Sequence, residues 1–249
     1  MTIIISLLLL VSLLPYMTIT AHEGIVDGRE AEPHSRPYMV SIQLNDSHIC
    51  GGFLITEQFV LTAAHCWNEG EVLTVVVGAH SLNESKCLDR LRVNRCIRAK
   101  YKQNPYRNDI MLLKLMTNVT LSKNVGLISL PKKGEDVKAD TLCSVAGWGR
   151  LWKNGPKPYR LMEANTRIVN DAECKNRWES GYKASKMICA YGHGGSCNGD
   201  SGGPLVCNNT AVGVTSYGDP YLCNSRLLPN VYTRISAYLP WIRKVIGNV

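Results

Sequence analysis

Short apolar runs separated by turn-forming residues constrain the fold of this chain more than any other feature. From residue 25 onward, apolar residues occur in runs of four to eight, with Gly, Pro, Asn and Asp between them. Examples are residues 38–44, 52–55, 59–62, 72–77, 110–115 and 211–216. Many short strands at this spacing indicate an antiparallel all-β sandwich or barrel.

One helix is predicted, at the C-terminal end of the chain. Ile235, Leu239, Ile242 and Ile246 recur at helical spacing. Pro240 is compatible with that helix only in its first turn. No linker divides the chain by composition. If the chain forms two barrels, we expect their join within residues 118–138, which are less regular and contain Ser, Lys, Asn and Gly.

The N-terminal residues are typical of a secretory signal. Residues 3–14 are almost wholly apolar, but a membrane-spanning helix needs about 20 such residues. We therefore interpret residues 1–21 as a signal peptide that ends between residues 20 and 22, and we expect no membrane span. The alternative is a hydrophobic N-terminus that is not cleaved.

Export would place the chain in an oxidising compartment, where the ten cysteines are expected to form disulfides. Composition alone does not choose among the possible pairings. The exported chain also carries four N-x-[ST] sequons, which predict glycosylation. Their asparagines are Asn45, Asn83, Asn118 and Asn208.

The chain is basic, with 28 Lys and Arg against 20 Asp and Glu. A chain that begins at Ile25 would keep all 28 basic residues and 19 acidic ones, for a net charge of +9. This charge favours a polyanionic partner, although a mildly basic surface without a dedicated partner is the alternative. No nucleic-acid-binding motif is present, so we expect no specific nucleic acid.

Three segments carry residues that are suited to catalysis. TAAHC places His65 after an apolar run and beside a cysteine, and NDIMLLKL places Asp109 before another apolar run. GDSGGPL places Ser201 in a glycine-rich turn, where backbone N–H groups can be exposed. Each segment alone has an ordinary structural interpretation, such as a structural histidine or a turn-capping aspartate.

Together the three segments resemble the trypsin/chymotrypsin-like serine peptidase family, because His65, Asp109 and Ser201 follow in that order. The segments IVDG, CGG, AGWG, TSYG and PNVYTRIS also match, so the resemblance covers residues 25–249. It implies one serine peptidase domain made of two packed six-stranded antiparallel Greek-key barrels with a C-terminal α-helix.

The resemblance implies a role for each residue of the three segments. Ser201 would be the nucleophile, His65 the general base and then acid, and Asp109 the group that orients His65. The backbone N–H groups of Gly199 and Ser201 would form the oxyanion hole. Neither a cofactor nor a metal is expected, because the remaining histidines lack metal-ligand spacing. From residue 25 onward these histidines are His34, His48, His80 and His193.

Family members are made as inactive precursors, and the resemblance implies an activation ion pair between the freed amino group of Ile25 and Asp200. Asp27 stands where a glycine is common in the family. Residues 22–24 would be a short propeptide that ends in Gly24 rather than in a basic residue. This pattern resembles the granzyme and mast-cell-protease branch, which implies secretion, storage in cytoplasmic granules and an anionic proteoglycan partner. It also implies a dipeptidyl peptidase, which would remove Glu23–Gly24 if the signal is cut after His22, whereas a cut after Ala21 would leave three residues.

The resemblance also implies the disulfides. Cys50–Cys66 would brace the loop of His65, and three others would brace the second half and the pocket: Cys143–Cys207, Cys174–Cys189 and Cys197–Cys223. Cys87 and Cys96 lie outside the family set. We predict that they pair with each other, with an intermolecular bridge as the alternative.

The primary substrate pocket is predicted from family positions. Gly195 at its floor carries no charge, so a substrate Lys or Arg would be buried without a counter-charge. Ser196 and Asn230 would contribute to the pocket, and Ser216 and Gly218 would also pair with the substrate backbone as an added strand. Asn230 would narrow the pocket, which favours medium-sized neutral or apolar residues, although its amide could instead select a polar one.

The interpretation with most support is a secreted, granule-stored serine endopeptidase that acts on proteins or peptides. One alternative is a catalytically inactive polyanion-binding or antimicrobial protein on the same scaffold. A digestive or plasma peptidase is a further alternative, but such enzymes generally carry a basic cleavage site or a longer propeptide.

Overall fold

The structure is a computed structural model that describes residues 25–83, 89–103 and 106–247. The predicted signal peptide, the predicted propeptide and Cys87 lie outside the described residues.

Thirteen strands lie within the described residues. They are β1 (Arg29–Glu30), β2 (Met39–Leu44), β3 (Ser47–Leu54), β4 (Phe59–Thr62), β5 (Leu73–Val77), β6 (Asp89–Arg98), β7 (Met111–Leu115), β8 (Leu142–Gly147), β9 (Met162–Ile168), β10 (Met187–Tyr191), β11 (Pro204–Cys207), β12 (Thr210–Tyr217) and β13 (Asn230–Arg234).

The first six-stranded barrel closes in the order β2-β3-β4-β7-β6-β5. The short apolar runs form its interior, because β4 and most of β7 are buried along their length. β4 and β7 pair in register from Phe59 opposite Lys114 to Thr62 opposite Met111. This pairing brings the chain after β4 close to the chain before β7, which are the segments that carry His65 and Asp109.

The second barrel contains β8 to β13, with β1 added at its edge. Its strands follow the order β1-β9-β10-β13-β12-β11-β8, and a further pairing of β8 with β9 closes it. The predicted all-β fold of two six-stranded barrels is therefore confirmed. The segment between Leu115 and Leu142 connects the two barrels, and residues 118–138 lie within it.

Two α-helices lie within the described residues, together with three short 3₁₀ turns. The C-terminal helix α2 (Leu239–Gly247) follows a 3₁₀ turn at Ile235–Tyr238, and Pro240 falls in its first turn as predicted. The prediction of a single helix was wrong, because α1 (Asp171–Trp178) precedes β10. Neither helix is long and apolar enough to cross a membrane.

Four disulfides join the described cysteines, in the pairs that the family resemblance implied. They are Cys50–Cys66, Cys143–Cys207, Cys174–Cys189 and Cys197–Cys223. Cys96 has no partner among the described cysteines, so its pairing with Cys87 stays a prediction.

Candidate active site

The first barrel positions His65 and Asp109. His65 lies in a 3₁₀ turn, Ala64–Cys66, which the Cys50–Cys66 disulfide ties to β3. Asp109 precedes β7, after Asn108 in the left-handed backbone region with φ +53°. The Tyr238 hydroxyl donates to the Asn108 side-chain oxygen at 2.9 Å, so the C-terminal segment helps to fix this turn.

The Asp109 carboxylate is the buried centre of a hydrogen-bond network. Its Oδ2 lies 2.8 Å from His65 Nδ1 and accepts from the Ser216 hydroxyl at 2.5 Å. Its Oδ1 accepts from the His65 backbone N–H at 2.9 Å. Because an ionised carboxylate only accepts, His65 Nδ1 carries the proton of this bond and Nε2 is the ring nitrogen that remains. The imidazole is thus held in one tautomer and one orientation.

The second barrel positions Ser201, in the turn between β10 and β11. Gly51 of β3 donates its backbone N–H to the Ser201 carbonyl at 2.8 Å, so this turn docks on the first barrel. Gly202 has φ +82°, and a Cβ there would lie 2.1 Å from Thr62 Oγ1 and 2.4 Å from the Gly51 carbonyl oxygen. Only glycine fits this position, because both the backbone conformation and the space exclude a side chain.

Two backbone N–H groups in this turn are available to a ligand. Neither Gly199 nor Ser201 donates its N–H to another described residue. Gly199 has φ +105°, and its carbonyl accepts from His48 Nε2 at 3.0 Å. Burial lowers the pKa of His48 to about 4, so its ring is neutral at pH 7. Since Nε2 donates to a carbonyl, His48 Nδ1 accepts from the Ser41 hydroxyl at 2.8 Å.

Asp200 is fully buried beside Ser201 and accepts two backbone hydrogen bonds. Its oxygens accept from Gly149 N–H at 2.8 Å and from Cys197 N–H at 2.9 Å. Burial raises the pKa of Asp200 to about 6, although both N–H groups act in the opposite direction. A carboxylate with so little solvent needs a positive partner to remain charged at low cost.

Ile25, the predicted partner of Asp200, is also completely buried and belongs to the core of the second barrel. Val26 accepts the Gly195 N–H at 3.1 Å, which joins this segment to the predicted pocket floor. Asp27 has φ +54°, a conformation that aspartate adopts more readily than most residues. The aspartate therefore takes a backbone shape for which glycine would otherwise be preferred.

A cavity of about 340 Å³ brings the predicted catalytic and pocket residues together. His65 and Ser201 line it from opposite barrels, and Ser196, Ser216, Gly218 and Asn230 line it from the second barrel. Gly195 is the one predicted pocket residue that does not line this cavity.

The Asn230 side chain explains why Gly195 does not line the cavity. A Cβ on Gly195 would lie 2.9 Å from Asn230 Nδ2, and one on Gly218 would lie 2.3 Å from Asn230 Oδ1. Asn230 Nδ2 also donates to the Ser196 carbonyl at 3.2 Å. The Asn230 amide thus stands between the floor and the wall and shortens the pocket.

Among the residues that line the same cavity and that sequence reasoning missed are Tyr106, Lys153 and Tyr217. The Tyr106 ring centre lies 5.9 Å from that of His65 and is stacked at 5.6 Å on Tyr217. Tyr217 lies in the segment TSYG, which was recognised only as a family match. No pattern in the sequence singles out Tyr106 or Lys153.

One group of side chains in the described residues has the spacing of metal ligands: Cys50, His65 and Cys66. The two sulfur atoms are bonded to each other, so neither is available as a thiolate ligand. All four sequon asparagines are exposed, as glycosylation would require. Ser85, the third residue of the Asn83 sequon, lies outside the described residues.

The chain is similar over most of its length to known serine peptidases. The family model named Trypsin matches residues 25–242. Human cathepsin G is 42% identical over 97% of this chain and 94% of the relative. Granzyme B(G,H) of Mus musculus is 39% identical over 98% of this chain and 99% of the relative. Duodenase-1 of Bos taurus is 43% identical over 97% of this chain and 96% of the relative.

A solved structure has the same fold. Neuropsin, a serine protease expressed in the limbic system of mouse brain, superimposes with a TM-score of 0.83 at 32% identity, over 89% of this chain and all of that structure.

Proposed function

This chain belongs to the trypsin family and is a serine endopeptidase, and from that premise we propose that it cleaves peptide bonds through an acyl-enzyme formed at Ser201. The observation that carries the mechanism is the 2.8 Å contact between His65 Nδ1 and Asp109, together with the cavity that His65 and Ser201 both line. The Ser201 hydroxyl attacks the peptide carbonyl and gives its proton to His65 Nε2. His65 then delivers that proton to the leaving amine. In the second half of the reaction, water attacks the acyl-enzyme and gives its proton to His65, which returns the proton to Ser201 as the acid product leaves.

Asp109 and the oxyanion hole support this chemistry. Asp109 keeps the proton of His65 on Nδ1 and stabilises the imidazolium that forms. The unengaged N–H groups of Gly199 and Ser201 bind the developing oxyanion, where one such donor contributes about 3 kcal/mol in peptidases of this mechanism.

Activation depends on the chain end at Ile25. In the precursor the Ile25 nitrogen is part of the peptide bond to Gly24, and its amino group is freed only by cleavage. The new ammonium group then pairs with Asp200, whose buried carboxylate lies next to Ser201. The burial of Ile25 and of Asp200 supports this proposal.

Reaction with a fluorophosphonate probe tests the catalytic proposal. Protein that begins at Ile25 should be labelled and should hydrolyse peptides, whereas the Ser201→Ala variant should do neither. Folded protein with the correct N-terminus that reacts with neither probe nor peptide would instead support the inactive polyanion-binding scaffold.

We propose that the enzyme cleaves after medium-sized neutral or apolar residues such as Leu, Met, Phe or Tyr. The Asn230 amide shortens the pocket, and Gly195 offers no counter-charge for Lys or Arg. A positional-scanning substrate library tests this preference, and best turnover after Arg or Lys would refute it.

The variant Asn230→Gly provides a second test of the pocket. Removing the amide lengthens the pocket, so the preference should move toward Phe and Tyr relative to Leu by about tenfold. An unchanged ratio would show that Asn230 does not limit substrate size.

We propose that the enzyme is secreted and is stored in granules together with an anionic proteoglycan. We place the proteoglycan-binding surface on β6. Arg90, Arg92 and Arg95 are exposed on this strand, and Arg95 lies directly opposite Lys114 of β7. Like charges directly opposite each other are destabilising, so an anion bound there would relieve their repulsion. Neither Arg92 nor Arg95 forms a salt bridge with a described residue.

Heparin affinity measures this surface. Arg92→Glu with Arg95→Glu should lower the salt concentration of elution substantially more than Arg243→Glu with Lys244→Glu on α2, which makes the same change in charge elsewhere. Equal effects of the two pairs would show that only net charge matters.

The proposed activator is a dipeptidyl peptidase that removes Glu23–Gly24 after signal cleavage behind His22. Incubating the two-residue-extended protein with such a peptidase should expose Ile25, by N-terminal sequencing, and activate the enzyme. Removal of the dipeptide without activation would refute this route.

Immunostaining of leukocyte granules, compared with pancreas and plasma, distinguishes the granule enzyme from a digestive or plasma peptidase.

A further inference from the structure

A second large cavity lies away from the catalytic cavity. This cavity, the rear groove, has a volume of about 840 Å³ and lies between the start of β8, the end of β9, α1 and the segments at 191–193 and 226–229. The rear groove and the catalytic cavity share no lining residue.

The charged side chains that line the rear groove have an excess of positive charge. Arg167, Arg177 and Arg226 line it, and Glu173 is the one carboxylate among its described lining residues. Glu173 is already paired with Arg177. Arg167 donates to the Asp140 carbonyl at 2.9 Å but forms no salt bridge with a described residue, and the Arg226 side chain has no described hydrogen-bond partner. Within the described part of the chain, two guanidinium groups are therefore left without an acidic partner.

Part of the wall of the rear groove is apolar. Leu142, Val169, Tyr191 and Pro229 line it, and Leu142 is 51% exposed. A sulfated polysaccharide offers no apolar side chain to such walls. An acidic peptide segment that also carries apolar side chains satisfies both the arginines and the walls.

We infer that the rear groove is a binding site for an acidic peptide segment with interspersed apolar side chains. Carboxylates of the segment pair with Arg167 and Arg226, and its apolar side chains lie against Leu142 and Pro229. Such a segment belongs to a separate protein that binds in this groove and regulates the enzyme.

The groove is connected to the primary pocket through Asn224. Asn224 Nδ2 donates to the carbonyls of Gly192 and His193, which line the rear groove, at 3.2 and 3.0 Å. The oxygen of the same amide would lie 2.7 Å from a Cβ on Gly195. A ligand that shifts the 192–193 segment therefore acts on the pocket floor through a single side chain. This second part of the inference rests on the peptidase function proposed above.

Binding is tested on the Ser201→Ala variant that begins at Ile25, so that the probe is not cleaved. The probe is a fluorescently labelled peptide of alternating Glu and Leu, and its control replaces each Glu with Gln. At low ionic strength the Glu peptide should bind at least tenfold more tightly. Arg167→Glu with Arg226→Glu should remove that advantage, whereas Arg243→Glu with Lys244→Glu should leave it within twofold.

Equal binding of the two peptides, or equal loss in both pairs of variants, would overturn the site. Because binding is measured without catalysis, this result is independent of the proposed function. The connection is tested in active enzyme with a short chromogenic substrate: the Glu peptide should change kcat/KM at least threefold more than the Gln peptide, which carries the same leucines, and Asn224→Ala should abolish that difference. Unchanged kinetics with intact binding would overturn the connection alone.

Discussion

At the scale of single residues, Asp109 is the most highly connected group of the site. Its carboxylate is 2% exposed and holds the His65 ring, the His65 backbone and the Ser216 hydroxyl at once. Its backbone carbonyl accepts from the Thr233 hydroxyl at 2.8 Å. Residues of both barrels therefore fix the orientation of one imidazole.

Replacing Ser216 with alanine tests the contribution of this hydroxyl. A hydrogen bond to a charged group contributes about 1.5–3 kcal/mol, so kcat should fall at least tenfold. KM should change little, since the Ser216 backbone is untouched. Active-site titration should show that the lost rate is not a loss of folded enzyme, and an unchanged kcat would contradict the role.

Asp200 gives the precursor an unusual dependence on pH. Its folded pKa of about 6 lies above its ordinary value of 3.8, so the protonated form is favoured in the folded state. Protonated Asp200 therefore adds to the free energy of unfolding. This stabilisation is fully present below pH 4 and is lost as the pH rises through 6, and it amounts to about 1.4 kcal/mol for each unit by which the pKa is raised.

In the Ser201→Ala precursor, Asp200→Asn should therefore become progressively more stabilising between pH 4 and 7. The gain relative to the parent should approach about 3 kcal/mol, measured by urea unfolding. Comparison with the parent separates this effect from His48, whose lowered pKa has the opposite sign over the same range. A difference independent of pH would contradict it.

The sequence predicted the residues of the triad but not the contacts that orient them. His65, Asp109 and Ser201 lie in three recognisable segments, and they line or adjoin one cavity. The bond from the Ser216 hydroxyl to Asp109 spans 107 residues, and no local pattern specifies it. The Asn230 amide between Gly195 and Gly218 likewise depends on packing across the pocket.

At the scale of structural elements, the turn between β10 and β11 carries Ser201 and contacts the first barrel. It presents Ser201, and its Gly202 lies against Thr62 and the Gly51 carbonyl of the first barrel. The position of Ser201 relative to His65 therefore depends on the close contacts between this turn and the first barrel.

Gly202→Ala should displace this turn, because the added Cβ has no room. A displacement of about 1 Å can reduce the rate about a hundredfold, so kcat should fall by at least that factor. Gly134→Ala is a suitable control, because a Cβ there meets nothing within 4 Å and its φ is also positive. A kcat near that of the parent would show that the turn can shift without cost.

Elements with a clear apolar period were predicted, and elements held by other forces were not. β4 coincides with the predicted run at 59–62. α1 was missed because only Cys174 is buried along it, so no apolar stripe marks the helix. Its N-cap Asn170, which accepts from the Ala172 N–H at 2.8 Å, and the Cys174–Cys189 disulfide hold it instead.

At the scale of the whole molecule, the proposed activation involves the segment that begins at Ile25. Ile25 and Asp200 are both buried, and Val26 is bonded to Gly195 at the predicted pocket floor. A change at Ile25 can therefore reach the pocket floor through Val26, and we expect it to reach Asp200 through the proposed ion pair.

Protein that begins with one additional alanine before Ile25 should be folded but nearly inactive. The extension moves the amino group away from Asp200, so kcat/KM should fall at least a hundredfold. Fluorophosphonate labelling should slow in proportion, while thermal unfolding remains cooperative. Full activity of the extended protein would show that the free amino group of Ile25 is not required.

The division of the triad between two barrels has a consequence for damage to the chain. His65 and Asp109 come from the first barrel and Ser201 from the second, and the segment between Leu115 and Leu142 joins them. A nick in that connector leaves every member of the triad intact, yet the nucleophile and its base then sit on separate fragments. Turnover that persists after such a cut would therefore measure how tightly the two barrels associate when the connector no longer joins them.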